Sequence, residues 1–193
     1  MRNHFHLALE TPEPNLSLGM KWLQGTWATR LNRSLGGTGR PFQGRFKALH
    51  VEPGHALAQV AHYIHLNPVR AKVISAERVG EFSSGSLRHF MARQRPGWLV
   101  GETVLAESGG LADTAAGWRR YVAYLGVLAE EEPKRRGEKF GRLSRGWMVG
   151  SEAFKEELQR RLGPGNALAE RFELLGGGPE ARRVPVSYTH LRA

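Results

Sequence analysis

The sequence predicts an α+β fold: a strand–helix–strand–helix front followed by a helical C-terminal region. Three observations lead there. Residues 4–10 and 44–52 are short strand-like segments, and each precedes a run with helical apolar spacing. From Val73 onward the strand pattern ends and amphipathic helical runs take over. The charge is uneven as well: residues 1–100 carry 13 Lys+Arg and 5 acids, residues 101–193 carry 15 and 13, within a total net charge of +10.

Taken in order, His-Phe-His-Leu-Ala-Leu-Glu at 4–10 alternates as a short strand, although Ala8 and Leu9 blur the period. Thr11-Pro12-Glu13-Pro14-Asn15 is a cluster of breakers. Leu16, Met20, Leu23, Trp27 and Leu31 then recur at spacings of three and four, which predicts a helix from Leu16 to Asn32. Lys21, Arg30 and Arg33 lie on its exposed side, and Trp22 and Trp27 are read as core residues rather than base-stacking platforms. Ser34 to Gln43 is a glycine-rich loop that lacks the Gly-Lys-Ser/Thr ending of a phosphate loop. Gly44 to Glu52 reads as a second strand ended by Pro53-Gly54. A helix follows from His55 to Leu66, stopped by Pro68 because the residue before a proline avoids helical angles.

Ser83-Ser84-Gly85-Ser86 reads as a linker, followed by a short helix around Leu87–Arg93 and a break at Pro96-Gly97. Ala115–Ala129 and Ser151–Leu162 are further amphipathic helices, the second opened by an N-cap serine with acids in its first turn. Glu130–Arg136 is a charged connector, and Gly176-Gly177-Gly178-Pro179 opens a tail. Residues 187–193 read as the translation of a sequencing-adapter end, which leaves them outside the expected fold and the true C-terminus beyond the chain.

Composition excludes several classes of chemistry. With no cysteine there are no disulfides, cysteine-bound zinc or thiol nucleophiles. Asp113 is the only aspartate, and 5 of the 18 acids lie in residues 1–100, which leaves few carboxylates for a two-metal nuclease. No apolar run approaches the ~20 residues of a membrane span, and no signal-peptide core opens the chain. The expectation is a soluble, cytoplasmic, bacterial-type protein with no membrane partner. A basic front half with interleaved aromatics (Trp22, Trp27, Phe42, Phe46) suits a polyanion such as nucleic acid, or else a solvated surface.

Two constellations carry chemistry. His4 and His6 flank Phe5, and on a strand residues i and i+2 share a face, so two imidazoles point together while Phe5 packs behind. That is half of a site for a divalent ion, or a chance match among eight histidines. Tyr63 and Asn67 are i and i+4 on the second helix, about 6 Å apart along its axis. A tyrosine hydroxyl attacks phosphorus when the phosphate is polarised, and an amide oxygen one turn away can ligate the polarising metal. The same spacing also fits a core tyrosine and a helix-capping asparagine.

Asn3-His4-Phe5-His6-Leu7, Phe42-Gln43-Gly44-Arg45-Phe46-Lys47 and Tyr63-Ile64-His65-Leu66-Asn67-Pro68-Val69-Arg70-Ala71 together resemble one family in order and spacing. It is the REP-associated tyrosine transposases, single-tyrosine HUH enzymes related to the insertion-sequence 200 type. Glu10-Thr11-Pro12, Asn15-Leu16-Ser17 and the segment from Gly141 to Phe154 also look like that family, and the likeness covers residues 1–162. It implies an RRM-like, ferredoxin-like HUH domain with His4 and His6 as metal ligands, Asn67 completing the metal site and Tyr63 as nucleophile. The implied reaction nicks and rejoins single-stranded DNA at hairpins of palindromic repeats, through a 5′-phosphotyrosine and a free 3′-OH. The implied cofactor is Mg²⁺ or Mn²⁺, and two imidazoles tilt the preference toward Mn²⁺. Arg40, Arg45, Lys47 and Arg70 are candidate phosphate contacts, with a solvated strand face as the alternative for Arg45 and Lys47.

The likeness also implies departures. Family members carry a strand, a helix and a second strand ahead of the His-x-His motif, so residues 1–80 are expected to be a partial catalytic domain. Residues 81–175 would be the helical C-terminal region and 176–193 a tail. In the family's topology a missing strand lies between the two retained ones, which would leave the His4–His6 strand with an open edge and this truncated chain inactive. Phe82-Ser83-Ser84-Gly85 stands where the family has Trp-Ser-Ser-Tyr. The alternative function is a non-catalytic DNA-binding remnant of such a transposase; whether the protein is a monomer or a homodimer stays open.

Overall fold

The computed structural model describes residues 4–42, 44–135, 148–162 and 187–192, with the backbone alone for 132–135, 162 and 187–192. The chain mixes helix and strand, and it forms two compact units, one of residues 53–146 and one of residues 2–52 and 147–193. No helix among the described residues is long and apolar enough to cross a membrane.

The second of these, the sheet unit, begins with β1 (His4–Leu9) and α1 (Leu16–Leu35). Helix α1 outruns its expected end by three residues and stops where Gly36 takes the left-handed conformation (φ 62°), its N–H bonded to the Asn32 carbonyl. Strand β2 (Lys47–Val51) lies inside the expected 44–52. The remaining elements are β3 (Met148–Val149), α6 (Glu152–Leu162) and β4 (Ser187–Arg192). They join one mixed sheet in the order β1-β4-β2-β3, in which β4 pairs antiparallel with both neighbours and β2 pairs parallel with β3.

This order corrects two expectations. Residues 187–192, left outside the expected fold, form a strand, for which Tyr188 and Thr189 have the appropriate propensity. That strand occupies the position between β1 and β2, so β1 is paired from His4 to Leu9 rather than open on that side. Phe5 and Leu7 on β1 pack with Leu16, Leu23 and Ala48 around buried Met20 and Phe46. The expected N-cap of α6 is present: Ser151 Oγ accepts from the Phe154 N–H at 3.2 Å. Glu52, just past β2, accepts from both the Ser151 N–H (2.6 Å) and the Ser151 hydroxyl (2.9 Å).

The other, helical unit holds α2 (His55–Arg70), a 3₁₀ turn (Ala76–Glu81), α3 (Leu87–Phe90), α4 (Glu102–Glu107) and α5 (Ala115–Arg135). The expected stop ahead of Pro68 is overturned, because α2 runs through it to Arg70. Proline removes one helical N–H near the end of the helix, and Leu66, Asn67 and Pro68 are all buried, so packing outweighs that loss. The helix closes in a Schellman arrangement: Val73 N–H bonds Pro68 O at 2.9 Å, and Lys72 N–H bonds Val69 O at 2.9 Å. Lys72 adopts a φ of 55° there, a position glycine usually fills. The supposed connector after Glu130 is the last part of α5, which Glu130 and Glu131 continue as good helix formers.

Trp118, Tyr121 and Leu125 of α5 are fully buried against Leu66, Val79, Phe90 and Leu105. Phe90 stacks on Trp118 with ring centroids 4.1 Å apart. Gly101 is demanded by this packing, since a Cβ there would come within 2.4 Å of the Trp118 ring. Asp113 accepts two hydrogen bonds from Arg95 (2.7 and 2.6 Å) and one from Trp118 Nε1 (2.7 Å). The Arg95 bonds hold its carboxyl below the ordinary range. The one aspartate is therefore a structural brace of the helical unit. The Gly176–Pro179 tail and residues 141–147 of the family-like segment lie outside the described residues.

Candidate functional site

Strand alternation brings His4 and His6 to one face of β1, their ring centroids 5.1 Å apart and their planes at 85°. Both are half-buried. Phe5 faces the other way, into the Met20–Phe46 cluster, and meets the Phe42 ring edge-on at 6.3 Å. Opposite the pair in the backbone register are Arg192 and His190 of β4. Two imidazole nitrogens suit Mn²⁺ better than the oxygen-seeking Mg²⁺. Among the described residues no group of three or more His, Cys, Asp or Glu could hold a metal ion.

On α2, Tyr63 is half-buried and Asn67 is 8% exposed. The buried Asn67 Nδ2 has no hydrogen-bond partner among the described residues. A side-chain amide in that condition has a ligating end to give, since turning it about χ2 exchanges nitrogen and oxygen. Arg70 lies close to Tyr63 in two ways: its Nη1 donates to the Tyr63 carbonyl at 2.7 Å, and its guanidinium carbon sits 4.3 Å from the centre of the Tyr63 ring. The structure thus groups Tyr63, Asn67 and Arg70 in the helical unit and His4 with His6 in the sheet unit. Arg40 and Arg45 are exposed on the loop between α1 and β2, and Lys47 is exposed at the start of β2. Asn32 Nδ2 ties that loop back to α1 by donating to the Gly39 carbonyl at 3.1 Å.

Sequence reading missed a buried polar network beside the nucleophile candidate. Tyr121 Oη lies 3.0 Å from His62 Nδ1 and 2.8 Å from His65 Nδ1. A tyrosine hydroxyl has one proton to donate, so it can donate to at most one of the two imidazoles and at least one Nδ1–H donates to it. Burial lowers the His62 pKa to about 4, helped by His55, and the His65 pKa to about 3, helped by His62. Both are neutral at pH 7. The signal was in the spacing, because His62 and His65 are i and i+3 on α2, but their partner lies some sixty residues away (|i−j| of 59 and 56).

Trp22 is a correction. It stands 69% exposed on the outer side of α1, and Trp27, read as core, is 42% exposed with its ring 5.2 Å from Phe42. Leu16, Met20 and Leu23 are the side of α1 that meets the sheet. Compared with models of protein families, with curated proteins and with solved structures, the chain matches none.

Proposed function

We propose that this protein is a single-tyrosine HUH transposase that nicks and rejoins single-stranded DNA at hairpin sites. The observation that carries the reading is the convergence of His4 and His6 on one face of β1, 5.1 Å apart. Tyr63 and Asn67 on successive turns of α2 support it, as does the guanidinium over the Tyr63 ring.

By the family resemblance, His4, His6 and Asn67 would be the residues that hold the divalent ion, Mn²⁺ by preference. Bound there, such an ion would polarise a phosphate and offset its charge. Tyr63 Oη forms the new bond to phosphorus as the bond to the 3′ oxygen breaks, leaving a 5′-phosphotyrosine and a free 3′-OH; the phenol gives up its proton and the departing 3′ oxygen takes one up, both exchanged through solvent. Rejoining is the reverse attack by a 3′-OH, and it needs no ATP because one phosphodiester replaces another. Arg70, held against Tyr63, is suited to meet the phosphate that Tyr63 attacks. Arg40, Arg45 and Lys47 grip flanking phosphates without reading sequence. A second reading, a DNA-binding remnant without turnover, draws on the exposed Arg40 and Arg45, which bind phosphate whether or not Tyr63 reacts.

The test is incubation of the full-length protein with hairpin-bearing single-stranded DNA and Mn²⁺, followed by denaturing electrophoresis. The transposase reading expects a covalent adduct that EDTA and Tyr63→Phe both abolish, while the phenylalanine variant still binds the hairpin. An adduct that survives Tyr63→Phe removes Tyr63 from the mechanism. Hairpin binding with no adduct assigns the remnant reading.

A further inference from the structure

Helix α1 presents a face that lies away from the sheet it packs on. Its inner residue Met20 is 2% exposed, whereas Leu18 is 70% and Trp22 69% exposed. At about 3.6 residues per turn, Leu18, Trp22, Gly25 and Arg33 fall along one outward stripe, with Lys21 and Arg30 on its flanks. A shallow groove follows this stripe. A Cβ at Gly25 would meet nothing within 4 Å, so the surface beside the Trp22 ring is open.

The charge on this face has one sign. The 20 residues of α1 include no Asp or Glu. Lys21, Arg30 and Arg33 have no ion pair among the described residues, so no carboxylate there competes for them. Lys21 and Arg33 are twelve positions apart, roughly 18 Å along the helix, a span of a few nucleotides of extended strand.

We propose that this face binds single-stranded DNA, with Trp22 stacking on an unpaired base while Lys21, Arg30 and Arg33 hold flanking phosphates. An exposed indole between unpaired cations matches a ligand that offers π faces and negative charge together, the combination used by single-strand-binding surfaces. Of the exposed apolar side chains of α1 (Leu18, Trp22, Trp27 and Leu35), only Leu18 and Trp22 share this stripe, too few to seat the helix in a lipid interface, which takes a continuous apolar face. An apolar protein partner would have to desolvate three cations to reach Trp22. The choice of DNA among polyanions rests on the strand-nicking reading above. The binding itself requires neither the histidine pair nor Tyr63.

The experiment is fluorescence anisotropy of the full chain with a labelled, hairpin-free single-stranded oligonucleotide, in EDTA so that metal-dependent chemistry is silent. Trp22→Ala should weaken binding about tenfold or more, and Trp22→Phe, which keeps a ring, should restore most of it. Arg30→Ala with Arg33→Ala should flatten the slope of log K against log salt by about 1.4, at ~0.7 per phosphate. The exposed pair Arg119→Ala with Arg120→Ala removes the same charge from α5 and should leave the affinity nearly unchanged. Because Trp22 is exposed, circular dichroism should find its variants folded. Binding that ignores Trp22, equal losses from the Arg119/Arg120 control, no oligonucleotide binding at all, or Trp22-dependent binding to phosphatidylserine vesicles instead of DNA would each overturn the proposal. Trp22-independent binding would overturn this face and leave the Tyr63 reading standing. Trp22-dependent binding by a protein that forms no adduct would do the reverse.

Discussion

In the helical unit, Trp118, Tyr121 and Leu125 from one helix meet Leu66, Val79, Phe90 and Leu105 from four other segments, and a tyrosine hydroxyl between two histidines crosses the same core. In the sheet unit, the cluster beneath β1 consists of Met20 and Phe46 ringed by half-buried neighbours. There the strand is held in large part by its backbone ladder to β4. The two halves of the candidate chemistry therefore have different supports. Tyr63 rides on a helix fixed by interlocking side chains, whose displacement would open cavities. His4 and His6 ride on a strand whose alignment depends on its hydrogen bonds to the neighbouring β4. Rigidity in the first case comes from shape and in the second from pairing.

The largest effect should come from attacking the better-packed core. Trp118→Ala should cost about 3–5 kcal/mol, since it removes a fully buried indole stacked on Phe90 and takes one of three hydrogen bonds from the Asp113 carboxylate. Met20→Ala should fall at the lower end of the ~2–5 kcal/mol range for buried aliphatic truncations, because its neighbours are half-buried and can close in. Urea unfolding with segment-resolved hydrogen exchange measures both; equal losses would erase the contrast between the units.

Acid should separate them next. His62 and His65 have folded pKa values of about 4 and about 3, below their unfolded value near 6.5, so the unfolded chain binds more protons in that window. Their contribution is complete above about pH 6.5 and is lost as pH falls toward the folded values. At pH 5 this amounts to about 2 kcal/mol per histidine. Among the described residues of the sheet unit one such group stands, His50 on β2, lowered to about 4 by burial. Protection from hydrogen exchange should accordingly fall further in α2 and α5 than in β2 between pH 7 and pH 5. A flat profile would mean that these imidazoles are not held neutral.

A smaller change acts through backbone alone. Lys72 ends α2 in the left-handed region, where an L side chain costs about 1–2 kcal/mol, so Lys72→Gly should stabilise the helical unit by up to about 1 kcal/mol after the entropy of glycine is set against it. A thermal melt decides the sign. The smallest effect belongs to the exposed loop and the first residue of β2. Arg45→Ala or Lys47→Ala should flatten the salt dependence of DNA binding by no more than ~0.7 each and leave the melting temperature alone. A shift in stability from either would show that it braces the sheet instead.

The sequence by itself determined what depends on neighbours in the chain. The two-residue period of β1 set His4 and His6 side by side and Phe5 behind them, because strand geometry leaves no other choice. Helix α1 starts at Leu16 after its breaker cluster, and Ser151 caps α6, for equally local reasons. The i, i+4 relation of Tyr63 and Asn67 was likewise legible before any coordinate. Tertiary structure decided the remainder. Pro68 stays inside α2 because burial of that turn outweighs one lost hydrogen bond. Trp22 faces outward because the sheet takes the Leu16–Met20–Leu23 side of α1, and a helix with aromatics on both sides does not announce which will be covered. His62 and His65 acquire their meaning only from Tyr121, and β1 acquires its partner only from residues 187–192. In each case the deciding contact joins residues far apart in sequence, and spacing along a chain records periodicity but not the identity of what packs against it.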